Sequence, residues 1–323
     1  MKFRAEPESI VGSIAALVTP FTSSGDVDLT SLRALTRWQL SNGSRGISLG
    51  GSTGEPSAQT VDERARAIRA VAEEVADQAP FIPGTGSAKL DETLALTDVA
   101  DRAGSDAVLV ITPYYARPTQ AALYRWYATV ANEFPHLPII IYNVPSRTAV
   151  DIAPETVAQL YTEFDNIVGI KETTRDFEHF SRVLYLTGGN IAVWSGIELL
   201  GLPLLALGGR GFISAVANLA PGAVARMYEA WVTGQHEEAE ALHFGLHPLV
   251  DLLFVESNPA PAKFVLARDG LIASEFVRPP LTEVSEAAKT TIDKLLADSG
   301  DVRNISPIGG VVREFQDEDD RRS

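Results

Sequence analysis

Eight short apolar runs recur along the chain, at residues 13–20, 46–51, 81–86, 107–113, 138–145, 167–173, 192–196 and 211–216. Longer stretches separate them, such as "VDERARAIRAVAEEVADQ" (61–78) and "TQAALYRWYATVANEF" (119–134). In these stretches apolar residues return at helical spacing and charges fall on the opposite face. Such alternation implies parallel strands joined by helical crossovers. Eight units within about 225 residues fit a closed (β/α)8 TIM barrel better than an open doubly wound sheet. The open sheet would carry an early phosphate-binding loop, and neither "GGSTGE" nor "GTGSAK" reads GxGxxG or GxxxxGK[ST]. Helix starts are expected at Asp62, Asp91 and Pro154. The pattern assigns residues 1–225 to the barrel, 226–300 to a C-terminal helical segment and 301–323 to an acidic, flexible tail.

Composition narrows the function. The 323 residues are 45% hydrophobic, which is ample for a large core, and include no cysteine, which excludes disulfides, thiolate metal sites and a cysteine nucleophile. A net charge of −15 argues against a nucleic-acid surface. The N-terminal stretch lacks the uninterrupted apolar run of a signal peptide. No segment offers the roughly 18 apolar residues of a membrane span. The expectation is a soluble cytoplasmic protein with no membrane partner.

In a barrel of this kind the chemistry sits at the C-terminal ends of the strands. Lys171 lies near that end of the sixth run, "IVGIKET", whereas Lys2, Lys89, Lys263, Lys289 and Lys294 fall in termini, in helices or beside helix starts. An amine sheltered from water is available in its neutral form as a nucleophile, and its natural partner is a ketone or aldehyde. An ion pair with Glu172 or Glu198 is the competing reading. The fifth run ends in "YNVPSRT", which places a phenol at Tyr142 and a carboxylate-binding fork at Arg147, unless these are a core tyrosine and a surface arginine. The second run ends in "GGSTGE", where Ser52, Thr53 and nearby amides are able to donate to a carboxylate, or simply make a glycine turn. Paired tyrosines in "TPYYARP" close the fourth run and more often pack than catalyse.

Taken together, these groups suit a 2-oxo acid. Its carboxylate would rest on Ser52 and Thr53, its ketone would condense with Lys171, and Tyr142 would relay protons. The iminium is its own electron sink, so neither cofactor nor metal is required. His243 and His247, four apart, lack a third metal ligand. The arginines of "RARAIRA" (64–70) read as a solvated face.

The segments "GSTGE", "TPYYARPTQAALY", "YNVPSRT", "GIKETT", "WSG", "GGRGFIS" and "FVESNPAPAKF" resemble, in order, the dihydrodipicolinate synthase and N-acetylneuraminate lyase family. The resemblance implies a (β/α)8 barrel with C-terminal helices, assembled as a homotetramer or homodimer. It also implies Schiff-base chemistry between pyruvate and an aldehyde. Lys171 becomes the Schiff-base lysine and Tyr142 the proton-handling phenol. Ser52 and Thr53 become the carboxylate site, with Ser52 passing a proton to Tyr142. Tyr115 matches the relay tyrosine given by a neighbouring subunit, and Arg147 the arginine that holds the carboxylate of aspartate semialdehyde. Gly196 and Ile213 match pocket-lining positions.

Three departures matter. Ser52 replaces a threonine usual in the synthases but keeps the hydroxyl. In "SGIELL" only Glu198 is acidic, flanked by Ile197 and Leu199, which disfavours a sialic acid substrate. Pro56, Val61 and Ala88 stand where lysine-inhibited synthases carry polar residues, so feedback by lysine is not expected. The leading reading is a dihydrodipicolinate synthase-like condensation. An aldolase of the 2,4-dihydroxyhept-2-ene-1,7-dioate type, a sugar-acid dehydratase and a non-catalytic ligand-binding barrel remain as alternatives.

Overall fold

A computed structural model describes residues 7–306. Seven parallel strands are β1 (Gly12–Ala16), β2 (Gly46–Ser48), β3 (Val108–Ile111), β4 (Ile139–Asn143), β5 (Ile167–Glu172), β6 (Ala192–Ser195) and β7 (Gly211–Ser214). Their order is β2-β1-β7-β6-β5-β4-β3, so β2 and β3 form the two edges. The third apolar run closes the gap between them. It is not a full ladder strand, but it makes single parallel bridges from Phe81 to Ile47 and from Gly84 to Leu109. The Ile82 N–H donates to Ile47 O at 2.8 Å, and the Leu109 N–H to Pro83 O at 2.9 Å. Pro83 has no N–H to continue the ladder. Gly84 is pressed so close to the second loop that a Cβ there would sit 2.6 Å from Gly50 O. The sheet is therefore a closed (β/α)8 barrel whose eighth stave is held by isolated bridges.

Side chains divide by face with period two. Ile14, Ile82, Leu109, Ile140, Tyr142, Trp194 and Ile213 belong to the cluster inside the barrel. Ile47, Val108, Ile139, Ile141, Val193 and Phe212 belong to the larger cluster between strands and helices. Strand β5 breaks this rule once. Ile139 pairs with Ile167 but Ile140 pairs with Gly169, so one extra residue enters β5 there. The shift turns Lys171, not Ile170 or Glu172, toward the inside.

The helices begin at stronger signals than those expected. The helix Val61–Val75 is capped by Thr60 in a capping box with Glu63, so Asp62 is a first-turn acid instead of the cap. Asp91 likewise lies within the first turn of Leu90–Arg102, while Pro154 opens Pro154–Glu163 as expected. Arg64 is not on a solvated face. It is buried and donates to Gly84 O at 2.9 Å and Gly86 O at 3.1 Å. Burial lowers its pKa to about 10.

Helices Pro221–Val232, His236–Gly245, His247–Leu253, Ala260–Arg268 and Glu286–Asp298 follow the barrel. Residues 301–306 do not behave as a free tail. A 3-10 turn, Gly300–Asn304, brings Val302 and Ile305 against the core. Residues 307–323, the rest of the expected tail, lie outside the described residues. Among the described residues no helix is long and apolar enough to cross a membrane.

Candidate active site

The ends of β2, β4 and β5 converge. Tyr142 on β4 and Lys171 on β5 are register partners, and Lys171 Nζ stands 4.3 Å from the centre of the Tyr142 ring. The Tyr142 hydroxyl is 3.1 Å from Ser52 Oγ. Lys171 is only 5% exposed, yet it makes no ion pair among the described residues. Both carboxylates that competed for it are engaged elsewhere. Glu172 accepts from Asn143 and from the backbone N–H groups of Thr173 and Thr174. Glu198 accepts from Ser214 Oγ and from the Ala215 and Val216 N–H groups. The ion-pair reading of Lys171 is thereby overturned.

Gly196 is glycine for a reason of space. A Cβ there would come within 2.7 Å of Lys171 Cε and 2.4 Å of Thr173 Oγ1. Ile213 sits on β7 in the inner cluster. The loop after β2 is tightly tied: Thr53 Oγ1 accepts from Asn258 Nδ2 at 3.0 Å, and Thr19 Oγ1 donates to Gly54 O at 2.8 Å. Arg147, exposed on the short helix Pro145–Thr148, donates to Asn258 O at 3.2 Å.

A cavity of about 270 Å³ opens beside this group, walled by Gly50, Gly51, Ser52, Tyr114, Tyr142 and Arg147, among others. Thr53, Lys171, Gly196 and Ile213 are not in that wall; Lys171 lies against the Tyr142 ring instead. Tyr115 is not brought to the site within one protomer. It is 94% exposed and held at a left-handed φ of 71°. Its neighbour Tyr114 lines the cavity, a role that sequence reading does not assign.

A second omission is Lys263, which sequence reading places among the ordinary helix lysines. It is fully buried, 2.8 Å from Glu55 Oε1 and 4.1 Å from the centre of the Phe21 ring. Burial lowers its pKa to about 8, against the opposing pull of Glu55. The available signal is the apolar setting of "APAKF", but its partner is far away in sequence. His243 and His247 pack edge to face, with ring centres 5.6 Å apart.

The dihydrodipicolinate synthetase family model matches residues 9–299. The chain belongs to that family. A 4-hydroxy-tetrahydrodipicolinate synthase of Thermus thermophilus is 45% identical over 270 residues, covering 84% of this chain and 90% of the relative. The enzyme of the same name from Thermodesulfovibrio yellowstonii is 43% identical over 289 residues, covering 90% and 98%. The crystal structure of the chloride-inhibited dihydrodipicolinate synthase of Acinetobacter baumannii complexed with pyruvate superposes with a TM-score of 0.86. It is 37% identical and covers 90% of this chain and 99% of its own. The barrel with C-terminal helices is thus the architecture of the dihydrodipicolinate synthetase family.

Proposed function

We propose that the protein is a 4-hydroxy-tetrahydrodipicolinate synthase that condenses pyruvate with aspartate semialdehyde. The Lys171 amine attacks the ketone of pyruvate and water leaves, giving an iminium that loses a methyl proton to become an enamine. The enamine carbon then attacks the aldehyde carbon, whose oxygen takes up a proton, and the amino group of the semialdehyde displaces the Lys171 amine from the resulting iminium as the ring closes. The observation that carries this reading is the contact of a buried Lys171, without an ion pair among the described residues, with Tyr142, whose hydroxyl is 3.1 Å from Ser52. That chain moves the protons which imine formation requires. Ser52 and Thr53 take the pyruvate carboxylate. Arg147, at the cavity wall, takes the carboxylate of the aldehyde. The covalent imine supplies the electron sink, so no step calls on an external cofactor or metal.

The test is borohydride reduction in the presence of pyruvate, read by intact mass and peptide mapping. A reduced adduct adds about 72 Da, as expected for an activated lysine. It should map to Lys171, be absent from Lys171→Ala and leave Lys263 unmodified. An adduct on Lys263, or none with pyruvate, defeats the reading. Turnover with aspartate semialdehyde, but not with succinate semialdehyde, separates the synthase from an aldolase that releases the latter.

A further inference from the structure

The residue after each reacting side chain is polar, faces away from the barrel interior and is buried. Asn143 follows Tyr142 on β4 and Glu172 follows Lys171 on β5, and the two are themselves register partners. Asn143 Nδ2 donates to Glu172 Oε1 at 2.9 Å and Oε2 at 3.1 Å, and to Asp151 Oδ1 at 2.7 Å. Asn143 Oδ1 accepts from the Ile152 N–H at 3.3 Å. Glu172 Oε1 also accepts the N–H groups of Thr173 at 2.9 Å and Thr174 at 3.0 Å, where the chain leaves the strand. From the helix Phe177–Leu186, His179 Nε2 comes within 3.2 Å of Glu172 Oε2, and its Nδ1 lies 3.8 Å from Asp151.

We infer that Asn143, Glu172 and His179 form a positioning clamp that holds the Lys171 amine and the Tyr142 phenol in reacting register. The inference rests on the Schiff-base reading of Lys171. None of the three touches the cavity, so they act through the strand tips. Adjacent backbone bonds complete the frame: the Thr173 N–H donates to Asn143 O at 2.9 Å and the Gly196 N–H to Glu172 O at 2.8 Å. Gly196 in turn abuts Lys171 Cε.

A buried charged cluster is a poor source of stability, because desolvation offsets most of its attraction. Burial here pushes the Glu172 carboxyl upward in spite of its donors. Burial also pulls His179 down, and the Glu172, Asp151 and Asp176 carboxylates more than offset that, so its net shift is upward. An apolar packing would serve the fold as well. What it would not do is fix the axial offset of two neighbouring strands, which directional hydrogen bonds across their tips accomplish.

The experiment compares wild type with Glu172→Gln and His179→Gln. It measures steady-state kinetics, the rate of borohydride-trapped adduct formation with pyruvate, and thermal stability. His179→Gln, which leaves the Asn143–Glu172 hydrogen bonds in place, keeps the test alive if Glu172→Gln does not fold. The expected result is a fall in kcat and in trapping rate on the order of 10- to 100-fold, the scale of an ångström's misplacement. KM for pyruvate should stay within about two-fold, because the carboxylate site on the Ser52 loop is untouched. Variants with a lowered melting temperature but unchanged kcat and trapping rate would overturn the clamp while leaving the Schiff-base reading intact. A wild type that forms no adduct would remove both.

Discussion

Two buried lysines in this chain, one on a barrel strand and one on a C-terminal helix, have opposite surroundings, and the difference predicts opposite responses to mutation. Lys263 is sealed between Glu55 and the Phe21 ring, with Glu55 Oε2 also accepting the Arg278 N–H at 3.0 Å. Removing it strands a buried carboxylate. Lys263→Met should therefore cost about 3–5 kcal/mol, the range for breaking one side of a buried pair. Adding Glu55→Gln should recover much of that loss, and denaturant titration of the single and double variants measures both. Among the described residues Lys171 has no carboxylate partner to strand. Lys171→Met should leave stability within about 1 kcal/mol of wild type, as an isosteric swap does, while abolishing adduct formation. A large stability loss in Lys171→Met would mean that its amine has a structural partner after all.

At the scale of single elements, strand β5 decides where Lys171 points. Strict alternation through "IVGIKE" would group Val168, Ile170 and Glu172 on one face and leave Lys171 on the other. The extra residue at Val168–Gly169 reverses the phase halfway. Gly169 permits this, since a Cβ there would meet both Ala192 O and the Trp194 ring at 2.5 Å. Gly169→Ala should cost about 1–3 kcal/mol by overpacking. It should also slow pyruvate trapping on the order of 100-fold through misplacement of Lys171. Trapping at the wild-type rate would dissociate the bulge from the chemistry. This irregularity is not legible in the sequence, because a bulge is a property of pairing and not of one strand's composition. The apolar runs are legible, because strands covered on both faces stay apolar whatever their pairing. The Thr60 capping box is written in "TVDE", where Thr60 and not Asp62 takes the cap. The Lys263–Glu55 pair is out of reach, since its members are 208 residues apart. Tyr142, Ser52 and Lys171 are legible as strand-end chemistry, but their mutual contact is not.

Over the whole molecule, the C-terminal helical segment is tied back to the barrel mouth, and one tie is pH-sensitive. Glu63 pairs with Arg278, which holds its carboxyl pKa down from 4.5 to about 2. A depressed carboxyl stabilises the fold above its ordinary pKa, and that contribution is lost as pH falls from 4.5 toward 2. The melting-temperature gap between wild type and Glu63→Gln should accordingly narrow across that window; a gap independent of pH would refute the assignment. The largest scale concerns Tyr115. Its neighbour Tyr114 lines the cavity, while Tyr115 projects away, almost fully exposed, from a backbone held at positive φ. A strained, exposed aromatic is ill suited to solvent and well suited to a second copy of the chain. We propose that the protein works as a homo-oligomer in which Tyr115 completes the proton relay of a neighbouring subunit. If so, Tyr115→Phe and Lys171→Ala will each be nearly inactive alone. Unfolding and refolding them together should restore up to about a quarter of wild-type turnover, the statistical limit for random pairing in a symmetric dimer. One intact site then arises in each mixed pair, built from the lysine of one chain and the tyrosine of the other. If the mixture stays inactive while co-purification on a tag carried by one variant shows mixed oligomers, Tyr115 serves its own chain or none, and the relay ends at Ser52 and Tyr142.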